Sequence, residues 1–440
     1  MEFSADSFRA PPPVDLLIRL FGQFEYTGWL DESMSWKETC YIGDWSFLPQ
    51  TRFRGPEVLD LFSGISVNSF RNFPVLSSKH VVQTSSRGKI MNEGILTRLG
   101  DDDFVYHGPG DEWARYNLDR SDIKATAESD DWFIYQVSGP ASISLLVELT
   151  GDEDLPDVPY MHAKPVTLAG HRIWALRQGM AGEPGFELQG PREAGRAVYD
   201  AVAEAGQKYG IRRLGARTVP INQLENAIPT RGLDYLPALH EPEQAEYLAS
   251  LPASSIQHLL RAFIAGSFEG ASLSDYYRDP VELRWTRQIS FDHRFPGDEE
   301  LSRLIAKPAR ILRTLVWDSS DVTEVNASLF GGGPHLTFMD MPRDTRGYLW
   351  ADQVEQQGRP VGVATSRGYS YYYRQMLSLA VLDVAAAGIG TQLEVVWGNP
   401  GETKKRIRAT VAKAPFKPDR SRMNLRDHLA AYQAASAASA

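Results

Sequence analysis

The sequence predicts an α+β fold, with a mixed body over residues 1–300, a β-rich domain over 301–420 and a short tail at 421–440. Three observations carry that expectation. Between about 41 and 140 the chain runs in short β-like stretches with turns between them. Residues 191–209 place Ala194, Ala197, Val198, Ala201, Val202 and Ala205 at helical spacing, and Gly210 follows as a stop. From about 300 onward the texture turns to β runs separated by Gly-containing turns.

Taken in order, residues 14–24 read as a short amphipathic helix after the Pro11-Pro12-Pro13 breaker. Val81–Thr84, Ile95–Leu99, Asp103–His107 and Trp132–Val137 read as strands. Pro237, Pro242 and Pro252 separate two short helical patterns within 236–275, a segment expected to be an insertion or lid. Ile311–Trp317, Val361–Thr365, Leu393–Trp397 and Arg406–Ala412 supply the β runs of the last domain. Ala430 to Ala440 is Ala/Ser-rich and is expected to fray.

Composition bounds the function. The 440 residues are 42% hydrophobic and 23% charged, which excludes wholesale disorder or a fibrous repeat. A net charge of −10 is poorly suited to neutralising phosphate backbones, so nucleic acid is not an expected partner. No stretch approaches the ~18 consecutive apolar residues of a membrane span, and Met1–Pro13 lacks the apolar region of a secretory signal. A cytoplasmic protein with no membrane partner is expected. Cys40 is the single cysteine, which excludes an intramolecular disulfide or a Cys-based zinc site. Aromatic residues make up 11%; most must be core, and a minority is available to line a pocket for a flat ligand.

Several familiar motifs fail on inspection. Gly331-Gly332-Gly333-Pro334 is followed by no Gly-Lys-Ser/Thr and reads as a turn. Histidines show no i, i+4 zinc pair, and no metal is expected. Asp101-Asp102-Asp103 reads as a solvated turn, and Ser138-Gly139-Pro140 lacks the Gly-x-Ser-x-Gly elbow.

Three ordered segments carry a signal. The first is Gly88-Lys89-Ile90-Met91-Asn92-Glu93-Gly94-Ile95-Leu96. The second runs from Met180-Ala181-Gly182-Glu183-Pro184-Gly185-Phe186-Glu187-Leu188 to Leu214-Gly215-Ala216-Arg217 and Leu224-Glu225-Asn226-Ala227-Ile228-Pro229. The third is Val361-Gly362-Val363-Ala364-Thr365-Ser366, with Leu393-Glu394-Val395 and Ala414-Pro415-Phe416 after it. In this order they resemble the aminomethyltransferase superfamily of the glycine-cleavage T-protein, and most closely its tetrahydrofolate-dependent aromatic O-demethylases of the vanillate and syringate type. The resemblance implies a folate-binding α+β body and a C-terminal β-barrel-like domain. It also implies tetrahydrofolate as co-substrate.

The residues make chemical sense beside the resemblance. A pterin presents adjacent N–H donors on one edge, which a carboxylate accepts as a pair. The resemblance places Glu225 and Glu187 as candidates for that edge, and Arg217 as a group that holds a carboxylate or orients the pocket. Trp285 is the candidate stacking ring, with Tyr276 or Tyr277 passing a proton at an oxygen. The alternative for each is an ordinary salt bridge or a core aromatic.

Three departures stand near the expected pocket. Asn92-Glu93 replaces the Asp-Asp of the T-protein, which makes Glu93 the acid at the reacting centre. Asp44-Trp45-Ser46-Phe47 stands where relatives have Asp-x-Ser-His, and Arg284 replaces a Gly before the Trp. The expected reaction is O-demethylation of a methoxylated, lignin-derived aromatic, with catalytic Tyr276, Tyr277 and Glu93. The alternative is a folate-independent formaldehyde lyase acting on a hydroxymethyl group of a phenylcoumaran-type dimer, with no cofactor. A non-catalytic folate binder is the third. A small aromatic partners the chain in either enzyme, and a homo-oligomer is compatible with both.

Overall fold

The computed structural model describes residues 16–259 and 263–439. Its body is built on two sheets. One has six strands in the order Arg212–Arg213, Tyr41–Asp44, Trp132–Ser138, Gly185–Pro191, His171–Leu176 and Ala163–Leu168. Every pairing in it is antiparallel except the short edge pair Tyr41–Asp44 with Arg212–Arg213. The other has five antiparallel strands in the order Ser78–Thr84, Ile90–Gly100, Asp103–His107, Gln50–Arg54 and Thr126–Ser129.

Helix Arg192–Ala205 covers the six-stranded sheet. Ala194, Val198 and Val202 fall on one face by their 3.6-residue spacing and pack against Phe133 and Leu188. Val198 and Val202 are fully buried, each contributing roughly 1.5 kcal/mol or more. Gly210, in the left-handed region at φ 68°, ends the segment.

The second unit is a closed six-stranded barrel. Strand Arg310–Trp317 pairs antiparallel with both Gln375–Asp383 and Lys405–Ala412, which seals the edge an open sheet would expose. Alternate residues point inward, and Trp350 stacks on Trp397 at 5.0 Å inside it. The expected body and barrel-like domain are therefore the observed architecture.

Some local expectations change. The first helix spans Leu16–Phe21, and residues 14–15 lie outside the described residues. Residues 425–439 form a helix, where the composition pointed to fraying. Leu425 is buried in the body core, Leu429 and Tyr432 pack against it, and His428 Nε2 donates to the Pro140 carbonyl at 2.8 Å. The 236–275 segment packs Leu236, Leu239, Tyr247 and Ile264 into a core shared with Met91 and Val363. Its strand Phe263–Ala265 runs parallel to Tyr348–Trp350. Among the described residues, none of the segment lines the cavity described below, and Gln257 joins it to Arg231 and to the Pro109 carbonyl. Asp103 pairs bidentately with Arg52 at 2.7 and 2.6 Å at the end of the Asp101–Asp102 turn.

Candidate active site

A cavity of about 680 Å³ is walled by both body sheets, by residues 219–233 and by Arg284–Gln288. That volume suits a cofactor-sized ligand. One end is apolar, built from Leu17, Phe21, Trp45, Phe47 and Ile134. Phe47 stands edge-on to Phe21 at 5.1 Å.

Strand pleating selects what reaches the other end. His80 pairs with Ile95 and Val82 with Glu93, so His80 and Glu93 are diagonal neighbours on one face. Their side chains meet at 2.5 Å between Nε2 and Oε2. The fully buried Tyr235 donates its hydroxyl to the other Glu93 oxygen at 2.8 Å. Burial and the Glu93 charge push the Tyr235 pKa well above the usual phenol value, which keeps that proton in place. Trp285 meets His80 edge-on at 4.9 Å and Tyr235 at 6.4 Å. His80, Glu93 and Trp285 all line the cavity.

Glu187 and His107 stand on the cavity wall as well. Glu187 accepts from Gln189 Nε2 at 3.0 Å, and burial raises its pKa against the opposing hydrogen bonds of Gln178 and Gln189. Burial lowers the His107 imidazole to about 4, with Gln189 offsetting only part, so the ring is neutral at physiological pH. Neither His107 nitrogen makes a well-formed hydrogen bond, Gln189 being its nearest interacting side chain. A buried carboxylate beside an unsatisfied imidazole suits a flat ligand carrying several N–H and carbonyl groups.

Of the residues singled out from the sequence, Glu93, Glu187 and Trp285 come together in this cavity, and four others do not. Glu225 lies beyond the wall, where its carboxylate accepts from Trp36 Nε1 at 3.0 Å, Lys37 Nζ at 2.7 Å and Ser370 Oγ at 2.5 Å. Arg217 bonds Glu25 at 2.6 Å and the Met341 carbonyl, joining the N-terminal segment to the barrel side. Tyr276 is fully buried, donating to the Phe268 carbonyl and accepting from Gly270 N–H, each at 3.0 Å. Tyr277 packs into the same core, and burial with the Glu241 charge raises its pKa. In this structure the folate-edge candidate Glu225, the pocket candidate Arg217 and the proton-transfer candidates Tyr276 and Tyr277 thus stand outside the cavity lining, held by protein partners.

Sequence reasoning missed His80, Tyr235 and Arg231. His80 directly precedes a strand that the sequence did predict, but its register against Glu93 is set across the sheet. Tyr235 is ten residues beyond the Glu225 stretch, with no local pattern to mark it. Arg284 adopts φ 63°, the left-handed conformation that a glycine at this position takes without strain.

Comparison with known proteins follows this architecture. Residues 17–245 match the family model of the GCVT N-terminal domain, and residues 341–417 match that of the glycine cleavage T-protein C-terminal barrel domain. The chain is 32% identical over 412 residues to the sesamin methylene transferase of Sinomonas sp. (strain No.22), covering 90% of each. It is 28% identical over 417 residues to the syringate O-demethylase of Sphingobium sp. (strain NBRC 103272 / SYK-6), covering 89% of each. The crystal structure of the glycine cleavage system aminomethyltransferase T from Bartonella henselae superposes with a TM-score of 0.64 at 16% identity, over 92% of this chain and 98% of that one. Among the described residues no helix is long and apolar enough to cross a membrane, and no group of three or more His, Cys, Asp or Glu is placed to hold a metal ion.

Proposed function

The chain belongs to the glycine-cleavage T-protein family, and from that premise we propose that it moves one carbon from an aryl ether oxygen to tetrahydrofolate. The observation that carries this reading is the His80–Glu93–Tyr235 cluster on the cavity wall beside Trp285. Such a cluster manages a proton at an oxygen, which aryl ether cleavage requires because an aryl oxide is a poor leaving group until it is protonated or neutralised.

Tetrahydrofolate, when bound, supplies the nitrogen nucleophile that accepts the carbon. Glu187 fits the paired N–H edge of its pterin, and His107 is a neutral hydrogen-bonding neighbour. Trp285 offers a ring face to the aryl group. The His80–Glu93 pair holds one proton between imidazole and carboxylate and passes it to the departing oxygen, while the Tyr235 hydroxyl fixes the carboxylate in place. The apolar end formed by Phe21, Trp45 and Phe47 receives the remainder of the aromatic substrate.

The two relatives described above are named for a methylene transfer and a methyl removal, so both a methylenedioxy and a methoxy arene belong in the assay. The folate-independent lyase expectation is set aside, because those relatives are named as a transferase and a demethylase. The test incubates purified protein with syringate, vanillate or a methylenedioxybenzene, with and without tetrahydrofolate, and follows phenol and folate products by mass spectrometry. Phenol or catechol formed only with folate, alongside 5-methyl- or 5,10-methylene-tetrahydrofolate, is the expected result. Equal turnover without folate, or none with any aryl ether, would overturn it.

A further inference from the structure

We propose that Arg231 is the cation that meets the negative charge developing on the departing aryl oxygen, and that Asn92 is what leaves its charge available. This rests on the aryl-ether reading of the same cavity. Arg231 lines the cavity and is nine-tenths buried. Its guanidinium is held by neutral groups: Nη1 donates to Asn92 Oδ1 at 2.7 Å, and Nη2 donates to Gln257 Oε1. Its Nε has no hydrogen-bond partner in the protein. Among the described residues no carboxylate comes within 4.0 Å of its nitrogens, although Glu93, Glu112 and the phenols of Tyr235 and Tyr247 contribute to its field from further off.

A buried cation without an ion-pair partner is costly, and buried charges are otherwise paired. An arginine side chain cannot relieve that cost by losing its proton. The same low-polarity setting makes its field strong at any charge that forms nearby. Arg231 and Tyr235 come from one tight turn, anchored by Asp234, whose carboxylate accepts from Thr230 N–H at 2.8 Å and Thr365 Oγ at 2.6 Å. The turn thus carries both a cation and the phenol that braces Glu93. As the carbon–oxygen bond breaks, its electron pair goes to the aryl oxygen and the carbon passes to the folate nitrogen. Arg231 stabilises that oxygen before the proton held between His80 and Glu93 reaches it. An aspartate at position 92 would keep the hydrogen bond to Nη1 but pair with the guanidinium and quench its field.

The test compares wild type with Asn92→Asp and Arg231→Gln. Asn92→Asp alters one atom and keeps both guanidinium contacts, so it remains informative if Arg231→Gln fails to fold. The first measurement is the apparent pKa of bound 4-nitrocatechol, read from its absorbance. It should be lower in wild type than in Asn92→Asp by about one unit or more, the size expected for one nearby opposite charge. The second is the dependence of kcat on leaving-group pKa across ring-substituted aryl ethers, which should steepen in both variants and which a purely structural role would leave unmoved. Equal bound pKa values with equal slopes would overturn the assignment while leaving the proposed reaction intact, and so would failure of the probe to bind at millimolar concentration. A depressed bound pKa without turnover of any aryl ether would instead remove the proposed reaction and support the oxyanion role of Arg231.

Discussion

Glu225→Gln should destabilise the protein and leave tetrahydrofolate binding unchanged. The Glu225 carboxylate takes three donors, from Trp36, Lys37 and Ser370, and the side chains of Glu225 and Lys37 are only 2% and 6% exposed. Lys417 and Glu183 form a second buried pair at 2.9 Å in the same region. The buried members of the cluster therefore balance two cations against two anions, with the more exposed Arg420 at 3.6 Å from Glu183 on its rim. The amide keeps the shape but removes one negative charge and turns one acceptor into a donor, leaving a net buried positive charge on Lys37.

Breaking a buried pair in this way costs about 3–5 kcal/mol. Lys37 also lies over the rings of Tyr373 and Tyr372, at 4.7 and 5.0 Å, which offsets up to about 1 kcal/mol. The expected loss is thus about 2–5 kcal/mol. Urea unfolding followed by tryptophan fluorescence reads the stability, and calorimetry reads folate affinity. Adding Lys37→Met should recover most of the loss, because it removes the buried charge that Glu225→Gln leaves uncompensated. Unchanged stability with a tenfold or greater loss of folate affinity would refute this reasoning and return Glu225 to the ligand.

Other outcomes follow from the same geometry. Glu187→Gln should weaken tetrahydrofolate binding by about 1.5–3 kcal/mol, the worth of a hydrogen bond to a charged group, with little loss of stability on urea unfolding. Glu93→Gln should lower kcat by about 10²–10⁴-fold in a steady-state assay, while Tyr276→Phe and Tyr277→Phe keep near-normal turnover. Arg284→Gly should relieve about 1 kcal/mol of backbone strain, seen as a higher urea midpoint. The fully buried Asp352 has its pKa raised by burial to about 7, against an unfolded value near 3.9. The unfolded chain therefore releases this proton first, and stability should fall between pH 4 and 7 by up to about 1.4 kcal/mol per unit. Asp352→Asn should flatten that slope in denaturation series across pH.

Much of the architecture is written locally. The alternation of Asp103–His107, the 3.6-residue spacing of Ala194, Val198 and Val202, and the β runs after residue 310 each reflect a periodicity that burial of one face imposes. Strand Gln375–Asp383 escaped because seven consecutive buried residues, Met376–Leu382, leave no alternation to read. The family resemblance assigned Glu93, Glu187 and Trp285 to one expected pocket, and all three line the cavity. What the motifs could not decide was direction and distance. Helix Val219–Glu225 is buried along its whole length, so its spacing cannot tell which side chains face the cavity. Glu225 turns to Trp36, 189 positions away, while Gln223 reaches the cavity wall. His80 meets Glu93 through strand register, Tyr235 reaches the same carboxylate across 142 residues, and Arg231 meets Asn92 across 139. Local propensity and periodicity act within a few turns of chain, whereas a side chain's partner is chosen by packing that brings distant segments together. The sequence alone therefore determined most of the elements and the family of the fold; the tertiary structure decided which carboxylates remain open to a ligand and which are already satisfied.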